Sequence, residues 1–416
     1  MTDHRLRVLV CGTGAASHVL AGLISSQPDV ELCVYTRSPE KARAWTDTQR
    51  HHRLTVAIAG GGDEVTSPPF VVTSDPEQAA RGCDMVIVSL PAFAHHSYLS
   101  ALAPYLERGA VIVGLPGQCG FDFEVRRLLG DRQHEVTLID FATLPWACRI
   151  EKFGRRAYVS GVKQSISGAK RECAGPSRVG DPESILQRLL GKRPALTVAG
   201  HLLGITLESM NAIVHPATMY GRWKDWDGSP LDQRPLLYEA IDEYAAFLIS
   251  EIGREMIAVA EKINATHPEV DFSNVIPIHD WFINAYGPDI RDKRNLMTAI
   301  GTNAAYVNIR HPMVEVRPGE FVPNFEHRFL AEDLPFGLVC TRGICEIVGV
   351  PTPTIDRIVR WGQEQLGKEY LKQHRLTGRD IGATRCPQRY GFGTLSDLLG
   401  PGARQTVASG YAVSRA

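Results

Sequence analysis

The sequence has no excess of charge of either sign and no long apolar segment. Its 416 residues include 45 basic and 46 acidic side chains, so the basic surplus typical of nucleic-acid-binding proteins is missing. Apolar runs such as those within residues 7–11 and 84–88 are strand-sized and far shorter than the roughly 20 residues that a membrane helix needs. The sequence therefore predicts neither a nucleic-acid partner nor a membrane span.

Targeting signals and cysteine motifs are also lacking. A strand-like segment starts at residue 6, which leaves no room for a signal peptide. The nine cysteines form no CxxC pair and no Cys/His spacing typical of a metal site, and their odd number argues against a disulfide framework. We find no internal repeat, low-complexity segment or heptad pattern. We therefore expect a cytoplasmic monomer with reduced thiols and no bound metal.

The length allows two domains of about 200 residues each. The first part alternates strand-like and helix-like segments, with strands expected at residues 6–10, 30–35, 71–72, 85–89, 111–113 and 136–140. Beyond about residue 200, amphipathic stretches such as residues 236–262 replace this alternation. We predict an α/β protein with an N-terminal Rossmann domain, built on a doubly wound parallel sheet, at residues 1–200. A mainly α-helical substrate domain at residues 201–400 and a flexible tail at 401–416 complete the predicted organisation.

A glycine-rich turn follows the first predicted strand. Gly12 and Gly14 occupy the first two positions of a GxGxxG dinucleotide-binding motif, with Ser17 in place of the third glycine. Such glycines allow a tight turn and let the backbone and the helix N-terminus approach a pyrophosphate. The motif alone is weak evidence, because glycines also end strands for structural reasons. Since strand, spacing and helix agree, we predict a dinucleotide site at Gly12, Thr13, Gly14, Ala15 and Ala16.

The second strand lacks the acidic residue that usually binds the ribose in such a site. Arg37 stands near that position and could stack on adenine or pair with a 2′-phosphate, although a solvated arginine at a strand end is the structural alternative. A further cofactor contact is expected at Ser89, Leu90 and Pro91, where a buried strand ends at the carboxyl edge of the sheet.

Two segments of the second half contain groups suited to acid–base chemistry. His215 precedes Pro216, which we expect to fix the backbone so that the imidazole lies at the rigid end of an element. Arg328 and Asp333 stand five residues apart beside Pro335, which is expected to stop a helix. A structural histidine and a plain Arg328–Asp333 ion pair are the alternatives.

Over nearly its whole length the sequence resembles the opine dehydrogenases, in particular the octopine, tauropine, alanopine and strombine dehydrogenases of invertebrates. The resemblance rests on the Gly12/Gly14 turn, Gly114-Leu-Pro-Gly-Gln118 and Leu144-Pro-Trp-Ala-Cys148-Arg149. It continues through residues 211–216, 223–228, 280–281, 301–303, 311–313, 328–335, 349–353 and 384–391.

The resemblance implies a reductive condensation of an amino acid with pyruvate through an imine. It implies that His215 is the general acid/base, that Asp333 orients its ring, and that Arg328 holds a substrate carboxylate by two parallel hydrogen bonds. Gln118, Cys148 and Trp281 would line the substrate cleft, with Gln118 and Cys148 on the Rossmann side. For Cys148 an ordinary buried thiol is the alternative.

The sequence leaves an alternative open for both the cofactor and the reaction. The resemblance favours NADH, whereas Arg37 in place of an acidic residue leaves NADPH as the alternative. The same pairing of domains serves hydroxyacid and glycerol-3-phosphate dehydrogenases, which reduce a carbonyl directly. A cofactor-sensing regulator would have neither an acid/base group nor a carboxylate clamp. The identity of the amino acid depends on pocket shape and is left open.

Overall fold

A computed structural model describes residues 5–60 and 64–400 of the chain. The chain divides into two compact units between Ser209 and Met210. The sequence placed this boundary near residue 200. It lies later because helix α7 (Leu202–Leu207) packs against strand β11 (Ser165–Arg171) of the first unit. The predicted tail at 401–416 lies outside the described residues.

The first unit alternates strands and helices along most of its length. Its other strands are β1 (Leu6–Cys11), β2 (Val30–Tyr35), β3 (Thr55–Ile58), β4 (Val65–Thr66), β5 (Val71–Thr73), β6 (Met85–Val88), β7 (Val111–Gly114), β8 (Thr137–Phe141), β9 (Trp146–Lys152), β10 (Arg156–Val162) and β12 (Ala195–Val198). Its other helices are α1 (Ala15–Ser25), α2 (Pro39–His51), α3 (Pro76–Ala80), α4 (Ala92–Leu102), α5 (Phe121–Leu129) and α6 (Pro182–Leu190). Short 3₁₀ turns occupy Ala103–Tyr105 and Gly130–Glu135.

Eight of these strands form one sheet, in the order β12-β11-β8-β7-β6-β1-β2-β5. Neighbouring strands run parallel except β8 and β11, which are antiparallel. Strands β6 and β7 are buried along their whole length, as expected of central parallel strands covered by helices on both faces. The predicted fold class is confirmed, and the antiparallel pair is an addition to it. A second sheet, ordered β4-β3-β10-β9, was not predicted.

The second unit is mainly helical. Its helices are α8 (Met210–Trp223), α9 (Glu243–Asn264), α10 (Ile278–Tyr286), α11 (Leu296–Gly301), α12 (Arg328–Ala331), α13 (Val339–Val348), α14 (Pro353–Gln365) and α15 (Leu395–Leu399). A π-helical turn covers Leu334–Leu338, 3₁₀ turns cover Gly287–Asp289, Ala304–Tyr306, Ile381–Ala383 and Pro387–Tyr390, and a hairpin joins β13 (Met313–Arg317) to β14 (Glu320–Pro323). Helix α9 begins later than the predicted residue 236 because Asp242 caps its N-terminus.

The described residues contain no helix with the length and hydropathy needed to cross a membrane. They also contain no group of three or more His, Cys, Asp or Glu side chains arranged to hold a metal ion. None of the nine cysteines, which all lie in the described ranges, forms a disulfide bond. Burial raises the pKa of Cys11 and Cys345 well above the ordinary value for a thiol.

A buried histidine joins the first helix to the second sheet. His18 is fully buried and stacks on Trp45 with ring centroids 4.0 Å apart. The backbone N–H of Gly154 donates to its Nε2 at 2.9 Å, so its proton is on Nδ1, which donates to the Gly14 carbonyl at 2.9 Å. Burial lowers the pKa of His18 to about 4, and that of the buried His311 in the second unit to about 3.

These two histidines predict acid sensitivity of the fold. The unfolded chain takes up their protons near the ordinary pKa of about 6.5, whereas folded His18 stays neutral down to a pKa of about 4. Burial of the neutral histidines therefore stabilises the fold fully above about pH 6.5. As the pH falls below this value, the free energy of unfolding decreases by up to about 1.4 kcal/mol per pH unit for each histidine. Urea unfolding at several pH values measures this loss.

The variant His18→Phe should lose less stability than the wild type over this pH range, because it retains an aromatic ring against Trp45 and has no proton to take up. The exposed His134 offers the matched control, since His134→Phe should leave the pH dependence unchanged. If the stability of His18→Phe and that of the wild type depended equally on pH, His18 would not be a cause of the acid sensitivity.

Candidate active site

The glycine turn between β1 and α1 leaves room for an anion at the helix N-terminus. Gly12 has φ +105°, and a Cβ there would lie 2.5 Å from Cδ2 of Leu90. A Cβ at Gly14 would have no described atom within 4 Å, and no side chain caps the N-terminus of α1. This helix N-terminus is thus open toward solvent, as the binding of a pyrophosphate by its N–H groups requires. The neighbouring Thr13 and Ala15 are partly exposed, and Ala16 is buried.

The loop after β6 lies against this glycine turn. Strand β1 lies between β2 and β6 in the sheet. The chain connections on the two sides of β1 run in opposite directions, and open parallel sheets bind their ligands at such a reversal of strand order. The Ser89 carbonyl is 3.3 Å from the position of a Cβ at Gly12, and the Ser17 hydroxyl reaches the Cys11 and Ser89 carbonyls at 3.4 and 3.5 Å. A ring N–H of the buried His95 donates to the Leu90 carbonyl at 2.9 Å, and Pro91 is the N-cap residue of α4. The glycine turn before α1 and the loop after β6 therefore fit the binding of a dinucleotide.

Arg37 is exposed two residues after β2. Its backbone N–H donates to the Tyr98 hydroxyl at 3.3 Å. Its guanidinium forms no ion pair with any residue of the described ranges. The Arg37 side chain is thus available to a ligand. It cannot accept hydrogen bonds from the ribose hydroxyls as an acidic residue would.

The predicted substrate residues of the first unit lie on different sheets. Gln118 follows β7 of the large sheet and has φ +64°, a backbone conformation that residues other than glycine rarely adopt. Such strain often accumulates at functional positions. Cys148 lies in β9 of the small sheet, opposite Val159, and burial raises the pKa of its thiol to about 11. Cys148 is therefore a neutral thiol near pH 7.

The second unit brings His215 and Asp333 together from positions 118 residues apart. Both side chains are buried, and Nδ1 of His215 lies 2.7 Å from Oδ2 of Asp333. The Tyr238 hydroxyl lies 2.9 Å from Nε2 of the same ring. Because an ionised carboxylate only accepts hydrogen bonds, the proton of the neutral ring is on Nδ1, and Tyr238 donates to Nε2. This arrangement gives a general base with a defined tautomer.

Aromatic packing fixes the plane of the His215 ring. Phe329 of α12 stacks on it with centroids 3.8 Å apart and an interplanar angle of 23°. Asp333 precedes the π-helical turn, in which the Leu338 N–H donates to the Asp333 carbonyl at 3.0 Å. Turns of this type recur at functional sites.

The expectation that Pro216 places His215 at the end of an element was wrong. Helix α8 continues through Pro216 to Trp223, so His215 lies in the middle of the helix. The proline removes the donor to the Ala212 carbonyl, but packing of α8 against α9 and the π-helical turn keeps the helix intact. Gly337 permits this contact, because a Cβ there would lie 2.4 Å from Cβ of Ala212. Pro335 likewise lies in the first turn of the π-helical segment rather than ending a helix.

Arg328 pairs with Glu332 and not with Asp333. Its Nε lies 3.5 Å from Oε2 of Glu332, one helical turn away, whereas Asp333 binds His215. The Arg328 side chain is 52% exposed, and its terminal nitrogens form no hydrogen bond within the described part of the chain. This leaves the planar end of the guanidinium able to bind a carboxylate.

Trp281 belongs to a row of aromatic side chains that ends at His215. Trp281 is half-buried in α10, with its ring 5.3 Å from Phe282 and 6.1 Å from Tyr286. Tyr286 contacts Tyr306 at 5.3 Å, and Tyr306 stacks on Tyr238 at 4.3 Å. Tyr238 was not predicted from the sequence, because it lies in a connection without a local motif. Glu332 was not predicted either, although its helical spacing from Arg328 indicates such a pair.

Comparison with known proteins adds two family matches. Residues 198–366 match the model described as NAD/NADP octopine/nopaline dehydrogenase, alpha-helical domain, and residues 8–116 match that of ketopantoate reductase PanE/ApbA. The chain is 44% identical to the tauropine dehydrogenase of Arabella iricolor, over 94% of this chain and 99% of that one. It is 42% identical to the octopine dehydrogenase of Mizuhopecten yessoensis, over 95% and 98% of the two chains.

Solved structures agree with these matches. A structure of octopine dehydrogenase in complex with NADH and agmatine is 41% identical in sequence and superposes with a TM-score of 0.91, over 95% of this chain and 98% of that one. A 2-dehydropantoate 2-reductase from Porphyromonas gingivalis is 12% identical, with a TM-score of 0.52, and shows a shared fold only. The predicted resemblance is confirmed, and the chain belongs to the opine dehydrogenase family.

Proposed function

We propose that this protein is an NADH-dependent opine dehydrogenase that joins an amino acid to pyruvate or a related 2-oxo acid. The amine adds to the keto carbon, water leaves to give an imine, and reduction gives a secondary amine dicarboxylate. NADH supplies the hydride, and one proton is consumed. Relatives support the cofactor and both substrates, because octopine dehydrogenase has been solved with NADH and L-arginine and with NADH and pyruvate.

The observation that carries the proposal is the buried pair of His215 and Asp333, joined at 2.7 Å. Loss of water from the amine adduct needs a proton donor, and the reverse reaction needs a base at the same place. Asp333 holds the ring tautomer and stabilises the imidazolium that forms when His215 takes up a proton. In this proposal His215 is the general acid/base and Asp333 its orienting partner.

Arg328 is the proposed clamp for a substrate carboxylate. We expect Arg328→Lys to raise KM for the 2-oxo acid by about tenfold while kcat changes less, because lysine cannot form two parallel hydrogen bonds to a carboxylate. Steady-state kinetics with pyruvate varied at a fixed amine concentration measures this. Arg317 in the hairpin, which pairs with Glu320, offers a matched control as Arg317→Lys. An unchanged KM in Arg328→Lys would contradict the clamp.

Arg37 leads to a prediction about cofactor choice. We expect NADH to be used, with NADPH as the weaker cofactor, because the relatives solved with a nicotinamide at about 40% identity hold NADH. A kcat/KM ratio above about tenfold in favour of NADPH, equal to about 1.4 kcal/mol, would contradict this choice. Arg37→Ala should lower the use of NADPH more than that of NADH, since only NADPH has a 2′-phosphate for the guanidinium to contact.

The remaining assignments are also proposals. Gln118 and Cys148 of the first unit and Trp281 of the second are proposed substrate contacts, and the exposed helix N-terminus at Gly14 is the proposed pyrophosphate site. Residues 1–200 are the proposed cofactor-binding part and residues 201–400 the substrate-binding part. A monomer in the cytoplasm is proposed, and light scattering of the purified protein tests the oligomeric state.

The deciding experiment follows the loss of NADH absorbance with pyruvate, in the presence and absence of an amine. L-Arginine, taurine, L-alanine and glycine form the first panel, and mass spectrometry identifies the product. Oxidation that requires the amine and yields the coupled product supports an opine dehydrogenase. Equal oxidation without amine would show direct reduction of the carbonyl, and the proposed function would be wrong.

A further inference from the structure

Both ring nitrogens of His215 are bonded to other side chains. Nδ1 faces Asp333 at 2.7 Å, and Nε2 faces the Tyr238 hydroxyl at 2.9 Å. Phe329 covers one face of the ring at 3.8 Å. In this arrangement neither nitrogen is directed at a substrate. A proton that His215 exchanges must therefore pass through one of its two partners, unless Tyr238 moves away.

Tyr238 is held so that its hydroxyl stays at Nε2. Its ring is buried and stacks on Tyr306 with centroids 4.3 Å apart, and Tyr306 in turn contacts Tyr286. The backbone is fixed on both sides, because the Leu237 N–H donates to the Ile309 carbonyl at 2.7 Å and the Ile241 N–H donates to the Tyr238 carbonyl at 3.1 Å. Withdrawal of the hydroxyl would break the stacking of the two tyrosine rings, so a proton path through Tyr238 is favoured over its displacement.

We propose that Tyr238 is a catalytic residue that passes the proton between His215 and the substrate oxygen. The proposal builds on the proposed function. In the synthetic direction the O–H proton of Tyr238 moves to the hydroxyl of the amine adduct, while the Nε2 proton of the imidazolium moves to the Tyr238 oxygen. The C–O bond breaks, the nitrogen lone pair forms the C=N bond, and water leaves. Tyr238 ends the step as it began, and His215 ends it neutral.

The chemistry of a tyrosine hydroxyl suits this role. It donates and accepts, so it can pair with neutral His215 and with the imidazolium. Burial raises the pKa of Tyr238 well above the ordinary value for tyrosine, so a free tyrosinate is disfavoured and both proton transfers occur together. In this proposal His215 stores the proton and Tyr238 is the group that contacts the substrate.

The test is Tyr238→Phe, which keeps the ring and removes only the hydroxyl. We expect kcat to fall about a hundredfold with NADH affinity unchanged, as is typical for loss of a general acid. In mixtures of H₂O and D₂O, the wild-type rate should vary with the deuterium fraction as expected when two protons move in the transition state. The rate of Tyr238→Phe should not show this dependence. Tyr220→Phe is the matched control, because the Tyr220 hydroxyl bonds to Tyr244 in the same unit and its loss should leave kcat unchanged.

A second variant separates the hydroxyl from packing. Incorporation of 3-fluorotyrosine at position 238 retains the hydroxyl and should recover most of the activity that Tyr238→Phe loses. If Tyr238→Phe keeps kcat within about threefold of the wild type, Nε2 meets the substrate directly and the relay is wrong. If the fluorotyrosine variant is as slow as Tyr238→Phe, the loss reflects packing, and the relay is again wrong.

Failure of the proposed function is distinguishable from failure of the relay. Wild-type enzyme that oxidises NADH equally without amine would contradict the proposed function. Direct reduction of a carbonyl also delivers a proton to the substrate oxygen, so the comparison of Tyr238→Phe with the wild type still decides the relay.

Discussion

His215→Ala is expected to lower kcat for opine synthesis about a hundredfold or more and to leave NADH affinity nearly unchanged. The variant removes the ring that Asp333 orients at 2.7 Å and the only partner found for the Tyr238 hydroxyl among the described residues. The proposed cofactor-binding loops belong to the first unit and His215 to the second, so we expect the loss of this ring to change NADH affinity little. Stopped-flow kinetics and NADH fluorescence titration measure the two effects separately.

Asp333→Asn should impair the same step, since an amide can hold Nδ1 of His215 in the wrong tautomer. The double variant should lose less than the product of the two single effects, because the pair acts as one unit. His374→Ala, at an exposed position of the same unit, is the control and should keep wild-type turnover. Near-normal kcat in His215→Ala at saturating substrates would show that His215 is a packing residue.

Gly12→Ala and Gly14→Ala are expected to weaken NADH binding for different reasons. At Gly12 the backbone has φ +105° and a Cβ would lie 2.5 Å from Leu90, so alanine there forces a rearrangement. We expect Gly12→Ala to lower the free energy of unfolding by about 1–3 kcal/mol and also to weaken NADH binding by tenfold or more, roughly 1.4 kcal/mol or above.

At Gly14 the backbone has φ −79° and a Cβ would meet no described atom within 4 Å. Gly14→Ala should therefore change the free energy of unfolding by less than about 0.5 kcal/mol. It should still weaken NADH binding by about tenfold, because the methyl group occupies the space through which a pyrophosphate approaches the helix N-terminus. Urea unfolding and NADH titration provide the two measurements. Unchanged affinity in Gly14→Ala would contradict the cofactor site.

The two variants control for each other. Gly12→Ala alters the folded backbone, whereas Gly14→Ala changes only the space in which we expect the pyrophosphate to bind. Loss of stability in Gly14→Ala similar to that in Gly12→Ala would show that Gly14 has a structural role. Retained affinity in a destabilised Gly12→Ala would place the pyrophosphate elsewhere.

Sequence patterns predicted the parts of the fold that depend on neighbouring residues. The apolar run of β1, the glycine turn and the periodicity of α1 are local, and each matches the structure within a residue or two. The buried runs of β6 and β7 were equally clear, because central parallel strands are apolar on both faces. The second sheet was missed, since β9 and β10 are only partly buried and lack the continuous apolar runs that indicated the central strands of the large sheet.

The resemblance named His215, Asp333 and Arg328 and implied that Asp333 orients the His215 ring. It gave neither Tyr238 as the second partner of His215 nor Glu332 as the partner of Arg328. Arg328 binds Glu332 because the two stand one helical turn apart, and the sequence spacing could have indicated this pair. His215 remains helical beside Pro216 because the π-helical turn and α9 pack against α8. A local rule for proline was overruled by tertiary contacts that span more than 100 residues.

The sequence by itself determined the alternation of strands and helices, the glycine turn and the family, because these depend on short-range periodicity and on motifs. The tertiary structure alone decided the geometry at His215, where three segments distant in the chain meet around one ring. Asp333 and Tyr238 lie 118 and 23 residues from it, and no local pattern links such positions. The hydrogen bond to Asp333 fixes the tautomer of His215, and the stacking of Tyr306 on Tyr238 keeps the Tyr238 hydroxyl on Nε2. Both contacts exist only once the chain has folded.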